Sequence, residues 1–343
     1  MINADLINKL PSPRIMVIGY FLLDRYVWGK VERISPEAPI QILKVQNDGD
    51  DRLGGAANVV HNLITLGAKV TALSVIGTDI GGQRIIALLK SLNAKDNKNR
   101  LNYQGVIKDK SHITSIKERM IAHNQQVLRV DKEEPNEDYF ISHSTEKKLL
   151  QHLARTIRSV DAVVISDYDK GTLTGTLLKK VIQLCRKYHK TVLVGPKGKD
   201  FTKYRGATAI VPNRSETEEA TGLEITGKTS SYKSAAQKML RNLALDFTVI
   251  TLGPDGLYLL DKKGRSAYDP ARHRDVYDVT GAGDTVLATL GIAFASKLPY
   301  QDALHLANLA AGVVVSKVGT ATVTRKDIIE HHYLKSEHEN IRA

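Results

Sequence analysis

A chain of 343 residues with 42% hydrophobic composition can bury a large core, and a single domain over 1–335 with an inserted lid is expected, followed by a polar tail at 336–343. No stretch approaches the roughly 20 apolar residues of a membrane span, and Met1 to Pro13 lacks the apolar core of a signal peptide, so a cytoplasmic protein with no membrane partner is expected. One cysteine, Cys185, excludes an intrachain disulfide framework, and the 49 Lys and Arg against 37 Asp and Glu (net +12) are scattered among acids, which argues for attraction of anionic metabolites and against nucleic acid.

In chain order, the apolar run Ile15 to Gly19 reads as a buried strand. Asp24 follows it by a few residues, where an open α/β sheet binds ligands; a carboxylate there accepts two sugar hydroxyls or is simply a solvated loop acid. Tyr26 to Gln46 departs from the alternation of strands and helices and ends in the strand-like Ile40 to Val45. Leu53-Gly54-Gly55-Ala56-Ala57-Asn58 then opens the helix Ala56 to Leu66, offering backbone N–H groups and the Asn58 amide to a polyhydroxy ligand, although paired glycines are also common in turns. The strand Val70 to Gly77 and helix Gly82 to Leu92 come next. His112 to Val130 is a long β-like stretch without helical period, expected to pair with 26–46 as a small sheet outside the main one, a lid or a dimer surface.

Alternation resumes with strand Ala162 to Asp167, helix Leu173 to Tyr188, and strands Thr191 to Gly195 and Ala209 to Pro212. Asn213 and Glu216, one helical turn apart in Pro212-Asn213-Arg214-Ser215-Glu216, are hard oxygen ligands suited to Mg²⁺ through water; the same pair is also a capping-box helix start. After helix Ser231 to Leu243, the strand Phe247 to Gly253 ends in Thr251-Leu252-Gly253, which lets a nucleotide approach closely. The segment Asp278-Val279-Thr280-Gly281-Ala282-Gly283-Asp284-Thr285 places two glycines and a carboxylate where a loop enters an apolar helix. Small residues let phosphate oxygens reach N–H groups at the helix start, and Asp284 can take a proton from an attacking hydroxyl. An ordinary capped helix start has the same sequence. The helices Val286 to Ser296 and Ala303 to Val318 complete a predicted α/β fold, a mainly parallel sheet with helices on both faces.

Taken in order, these motifs resemble the ribokinase-like carbohydrate kinase family over nearly the whole chain. The resemblance implies that Asp284 is the catalytic base and that Gly281, Ala282 and Gly283 form the anion hole. It further implies that Asn213 and Glu216 serve Mg²⁺ and the ATP phosphates, that Thr251 and Gly253, with Lys197, border the nucleotide, and that Asp24, Gly54, Gly55 and Asn58 hold the sugar. Leu23-Asp24-Arg25-Tyr26, Arg33-Ile34-Ser35-Pro36-Glu37-Ala38-Pro39, Ile121-Ala122-His123-Asn124-Gln125-Gln126, Ser166-Asp167-Tyr168 with Lys170-Gly171, and Gly319-Thr320-Ala321-Thr322-Val323 are similar to its D-glycero-D-manno-heptose 7-phosphate kinase branch. That branch implies transfer from ATP to the anomeric O1, giving the 1,7-bisphosphate for ADP-heptose and lipopolysaccharide core synthesis. It adds Asp167 to the substrate site, with Arg119 and Lys170, ahead of Lys117 and Arg129, as cationic partners of the sugar phosphate. A homodimer through the lid strands and a monovalent-cation site near Asp278, Thr280 and Lys317 to Thr320 are further expectations of the resemblance. The His-x-Gly-His motif of a following nucleotidyltransferase domain is not found, so the chain resembles a stand-alone kinase.

Two positions depart from the branch pattern. Tyr20 and Gly195 stand where relatives usually carry Asp, which puts metal affinity and sugar choice in question. The alternatives are another ribokinase-like sugar kinase or a catalytically impaired sugar-phosphate or nucleotide-binding protein.

Overall fold

The computed structural model describes residues 3–47, 49–96, 98–123, 125–134, 139–271 and 276–340, with side chains as far as 332; Asn124 lies outside this set. The first half of the chain forms α1 (Ala4–Asn8), β1 (Arg14–Gly19), β2 (Phe21–Ile34), β3 (Gln41–Val45), β4 (Asp50–Gly55), α2 (Ala56–Thr65), β5 (Lys69–Gly77) and α3 (Ile80–Lys95). There follow β6 (Leu101–Asp109), β7 (Ile116–Ala122), β8 (Gln125–Lys132), α4 (His143–Thr156), β9 (Ala162–Ser166) and α5 (Gly175–Lys187). The remainder forms β10 (Thr191–Gly195), β11 (Ala209–Ile210), α6 (Arg214–Thr221), α7 (Thr229–Leu243), β12 (Phe247–Thr251), β13 (Leu257–Asp261), β14 (Ser266–Asp269), α8 (Ala282–Ala295), α9 (Tyr300–Val315) and α10 (Arg325–Asn340).

A nine-stranded sheet in the order β14-β13-β12-β11-β10-β9-β1-β5-β6 carries the molecule. Its strands are parallel from β6 to β12, and only the β12–β13 and β13–β14 pairs are antiparallel. Because side chains alternate along a strand, β1 feeds two cores: Ile15 and Val17 pack with residues of α2, α8 and α9, while Met16 and Ile18 join Leu149, Leu177 and Met239 of α4, α5 and α7. Burial on both faces explains why these central strands are continuous apolar runs.

β2 leaves the main sheet one residue after β1 and founds a second, five-stranded sheet in the order β3-β2-β7-β8, with β4 also paired to β2. The segments expected at 26–46 and 112–130 therefore do pair outside the main sheet, through the parallel register Leu23↔Ile116 to Gly29↔Ala122. The helix expected from Ala56 begins there, with the paired glycines at 54 and 55 closing β4 just before it. One boundary differs from expectation. α10 carries through to Asn340, so the stretch from 336 continues a helix as far as it is described. No helix among the described residues is long and apolar enough to cross a membrane.

Candidate active site

α8 starts at the carboxyl ends of the parallel strands. Gly281 precedes it with φ +80°, a left-handed conformation that favours glycine, and among the described residues no side chain caps the helix. The first-turn amides of a helix lack intrahelical acceptors and sit at the positive end of the dipole. A Cβ at Gly283 would have no atom within 4 Å, so the chain leaves an open cradle beside these amides.

Asp284 stands in that first turn. The Asn58 Nδ2 donates to its Oδ2 at 3.1 Å, and the Tyr168 hydroxyl donates to Oδ1 at 3.1 Å and to Oδ2 at 3.4 Å. Burial pushes the carboxyl up to about 7; the two donors oppose the rise, and Asp24 adds repulsion. Some of its surface still faces the cavity, so water there limits the shift. The phenol of Tyr168 is pushed well above its ordinary range, first by burial and then by Asp284, and is a fixed donor at neutral pH. Asn58 is itself held: Asn62 Nδ2 donates to its Oδ1 at 3.2 Å, and a Cβ at Gly281 would lie 2.8 Å from its Nδ2. Glycine at 281 thus serves both the helix start and the amide that touches Asp284.

A cavity of about 210 Å³ opens beside Asp284, bordered by Tyr168, Gly195, Lys197, Asn213 and Thr251. Asn213 and Thr251 are brought together by a parallel bridge. Asn213 and Glu216 form the capping box of α6: Glu216 N donates to Asn213 Oδ1 at 2.8 Å, and Asn213 N donates to Glu216 Oε2 at 2.9 Å. The other Glu216 oxygen accepts from Lys197 Nζ at 2.9 Å. Gly253 is exposed at the far end of the same edge, φ +60°. A hollow of about 520 Å³ around Arg14, Lys69 and Arg100 lies at the opposite, amino end of the strands and holds none of these groups.

Of the residues expected to hold the sugar, Asp24, Gly54, Gly55 and Arg119 come from the second sheet. Asp24 of β2 and Arg119 of β7 form a buried ion pair, Nη1 to Oδ1 2.5 Å. Burial holds the Asp24 carboxyl above its usual range, against the pull of Arg119; burial also opposes the Arg119 charge, but Asp24 outweighs it and raises the guanidinium. Gly54 lies against this carboxylate, since a Cβ there would be 2.3 Å from Asp24 Oδ2. Asp167, buried after β9, accepts from Tyr204 at 2.6 Å and Lys203 at 2.9 Å. Lys170 is half exposed and pairs with Glu133 at 3.0 Å, while Lys117 and Arg129 share Asp131.

Asp284, Gly281, Gly283, Asn58, Asn213, Glu216, Thr251 and Lys197 thus converge on one end of the sheet, with Asp24, Gly54 and Arg119 on the second sheet. Tyr168, which the sequence offered only as part of Ser166-Asp167-Tyr168 and without a role, is the side chain that the structure adds beside Asp284. A Cβ on Gly195 would stand 2.8 Å from Leu287 Cδ2, so α8 fills that corner with an apolar side chain. Tyr20 bonds the Ser115 hydroxyl and sets its ring 6.2 Å from that of Tyr168.

A mainly parallel sheet, a glycine-led helix start bearing a carboxylate, and a second sheet facing it define a ribokinase-like sugar kinase fold. The chain belongs to the pfkB family of carbohydrate kinases, whose model matches residues 12–327. It is 41% identical over 327 residues to the bifunctional protein HldE of Wolinella succinogenes, covering 95% of this chain and 66% of that protein. It is 43% identical over 327 residues to HldE of Geobacter sulfurreducens, covering 95% and 63%. The chain therefore spans just under two thirds of the length of these relatives. Among solved structures, Arabidopsis thaliana ribokinase complexed with ribose and ATP matches with TM-score 0.70 at 18% identity, covering 94% of this chain and 99% of that one. Escherichia coli phosphofructokinase-2 in complex with potassium matches with TM-score 0.75 at 18% identity, covering 94% and 100%. At such identity these two establish the fold alone.

Proposed function

We propose that the chain transfers the γ-phosphoryl group of ATP to the anomeric O1 hydroxyl of D-glycero-D-manno-heptose 7-phosphate, for ADP-heptose and lipopolysaccharide core synthesis. The observation that carries this is Asp284, oriented by Asn58 and Tyr168 at the open start of α8. Asp284 takes the hydroxyl proton as the sugar oxygen bonds to the γ-phosphorus; the bond from that phosphorus to the β,γ-bridging oxygen breaks and ADP leaves. The amides of 281–283 stabilise the charge spread over the transferred group. Asp24, Gly54, Gly55, Asn58 and Asp167 serve the sugar side, with Arg119 and Lys170 towards its phosphate; Thr251, Gly253 and Lys197 border the nucleotide.

The open cradle at Gly283 fits nucleotide phosphates. Direct Mg²⁺ ligation by Asn213 and Glu216 fits less well, because their oxygens are engaged in the cap and the Lys197 pair, and the described residues contain no group of three or more metal-binding side chains. Asn213 and Glu216 would hold Mg²⁺ only through water, and the ion would supply neutralisation of phosphate charge there. For the monovalent cation the same limit applies, as both Asp278 oxygens already accept amides of Thr280 and Gly319. A cytoplasmic homodimer through the second sheet, whose Val127, Leu128 and Val130 are exposed, belongs to the same proposal.

A coupled assay of ADP release across heptose 7-phosphate, fructose 6-phosphate, fructose and ribose tests the substrate. Highest kcat/KM is expected for heptose 7-phosphate; preference for another sugar replaces it with another ribokinase-like activity. Saturable binding without ADP formation, in keeping with the Leu287-filled corner at Gly195, replaces it with a binding protein.

A further inference from the structure

Tyr26 is fully buried where the second sheet meets the main body, and no motif assigned it a role. Its hydroxyl accepts the Thr320 amide at 2.8 Å. Its ring lies under two guanidinium groups, Arg52 at 4.6 Å and Arg119 at 5.3 Å from the centroid. Gly319, at φ +76°, packs so closely that a Cβ there would stand 2.6 Å from the Tyr26 Cζ. Arg52 braces the same turn by donating to the Val318 carbonyl at 2.9 Å.

From this turn two routes reach the start of α8. Gly319 N donates to Asp278 Oδ2 at 2.8 Å, and the other Asp278 oxygen accepts Thr280 N at 2.9 Å, one residue before Gly281. Thr320 also packs directly on Gly281, where a Cβ would meet its Cγ2 at 3.5 Å. In the other direction Tyr26 touches Arg119, which holds Asp24.

We propose that Tyr26 is a positioning residue that holds the 318–320 turn against the Gly281 end of α8 and couples it to the Asp24–Arg119 pair, so that a sugar on Asp24 sets the phosphoryl-binding amides. This rests on the assignment of Asp24 to the sugar side and of the α8 start to the phosphoryl group. Sugar hydroxyls compete with Arg119 for the Asp24 oxygens, and any shift of that guanidinium is transmitted to the ring beneath it and from its hydroxyl to Thr320. Tyr26 touches neither substrate.

The test is Tyr26→Phe in the full chain, which keeps the ring and its cation contacts and removes only the hydroxyl that bonds the Thr320 amide and side chain. The sugar is whichever member of the panel the wild type phosphorylates best, so a wrong sugar assignment shows in the wild type before the variant is read. Sugar affinity is measured with and without a non-hydrolysable ATP analogue through Trp28, the only tryptophan, two residues away on β2. A fall in kcat of about tenfold is expected, with sugar KM changed less than about threefold and the mutual enhancement of sugar and nucleotide binding reduced towards one. Arg52→Met, which frees the turn at Val318 instead, is expected to weaken the enhancement in the same direction. Unchanged kcat and enhancement in a folded Tyr26→Phe protein, loss confined to sugar KM, or no enhancement in the wild type would each overturn the role.

Discussion

Asp284 ties activity and stability to pH in opposite directions. In its proposed role as base it must be ionised, so kcat should rise through about pH 7, where burial has moved its carboxyl, and level off above. Stability runs the other way. An unfolded Asp releases its proton near 3.8 while the folded chain retains it to about 7, so the folded state binds more protons in that window and loses stability as pH rises through it. Asp284→Asn should therefore lower kcat by about 10²–10⁴-fold yet melt above the wild type at pH 8, the gain vanishing by pH 4; near-normal turnover would remove Asp284 from the chemistry. The Gly-Ala-Gly-Asp spelling made this residue legible, because small residues before a first-turn acid have a local physical meaning. Tyr168, 116 residues away, was not, since what makes it a donor to Asp284 is the parallel pairing of distant strands. Asn213 and Glu216 show the converse: their spacing fitted both a ligand pair and a capping box, and the hydrogen bonds form the box.

Among the elements, the entry to α8 carries the tightest constraint. Gly281→Ala adds a Cβ in a left-handed conformation, costing about 1–2 kcal/mol, and puts it 2.8 Å from Asn58 Nδ2. The expected outcome is a lower Tm together with a loss of kcat, because Asn58 must retreat from Asp284; a Tm shift with intact kcat would separate the cap from the chemistry. For α6, Asn213→Ala should cost about 1 kcal/mol as a lost cap, and thermal melts beside KM for ATP distinguish capping from nucleotide contact: a rise in KM well beyond the stability loss assigns Asn213 to the nucleotide. The central strands were legible as apolar runs of the right length. β11 shrank to Ala209–Ile210 because the chain turns at once into the α6 cap, and α4, with Ser142 capping its start, escaped notice because its mean polarity is high. Hairpin β13–β14 reverses the sheet's direction at its edge, a feature that short apolar runs do not reveal.

For the molecule as a whole, the second sheet was foreseen but its attachment was not. β8 is exposed along its length, so the sheet's buried residues, among them Phe21, Leu23 and Tyr26, lie in its inner part, near β4 and the main body. The Asp24–Arg119 pair sits in this seam, and a buried pair is most damaging when only one partner is removed. Arg119→Met should destabilise the whole chain by about 3–5 kcal/mol, since it leaves Asp24 buried without its cation. Without Arg119 the Asp24 carboxyl, already above its ordinary range, rises further. The folded chain then keeps a proton that the unfolded chain gives up near 3.8, so the loss is smallest in acid and grows as pH climbs through the raised value. Thermal melts from pH 4 to pH 8 should show this widening gap, and adding Asp24→Asn to Arg119→Met should close part of it at pH 8 but little at pH 4. A pH-independent gap would mean that Arg119 stabilises the seam by packing on Tyr26 rather than by neutralising Asp24. A separate early transition, instead of one shifted melt, would show that the second sheet unfolds apart from the body that carries Asp284.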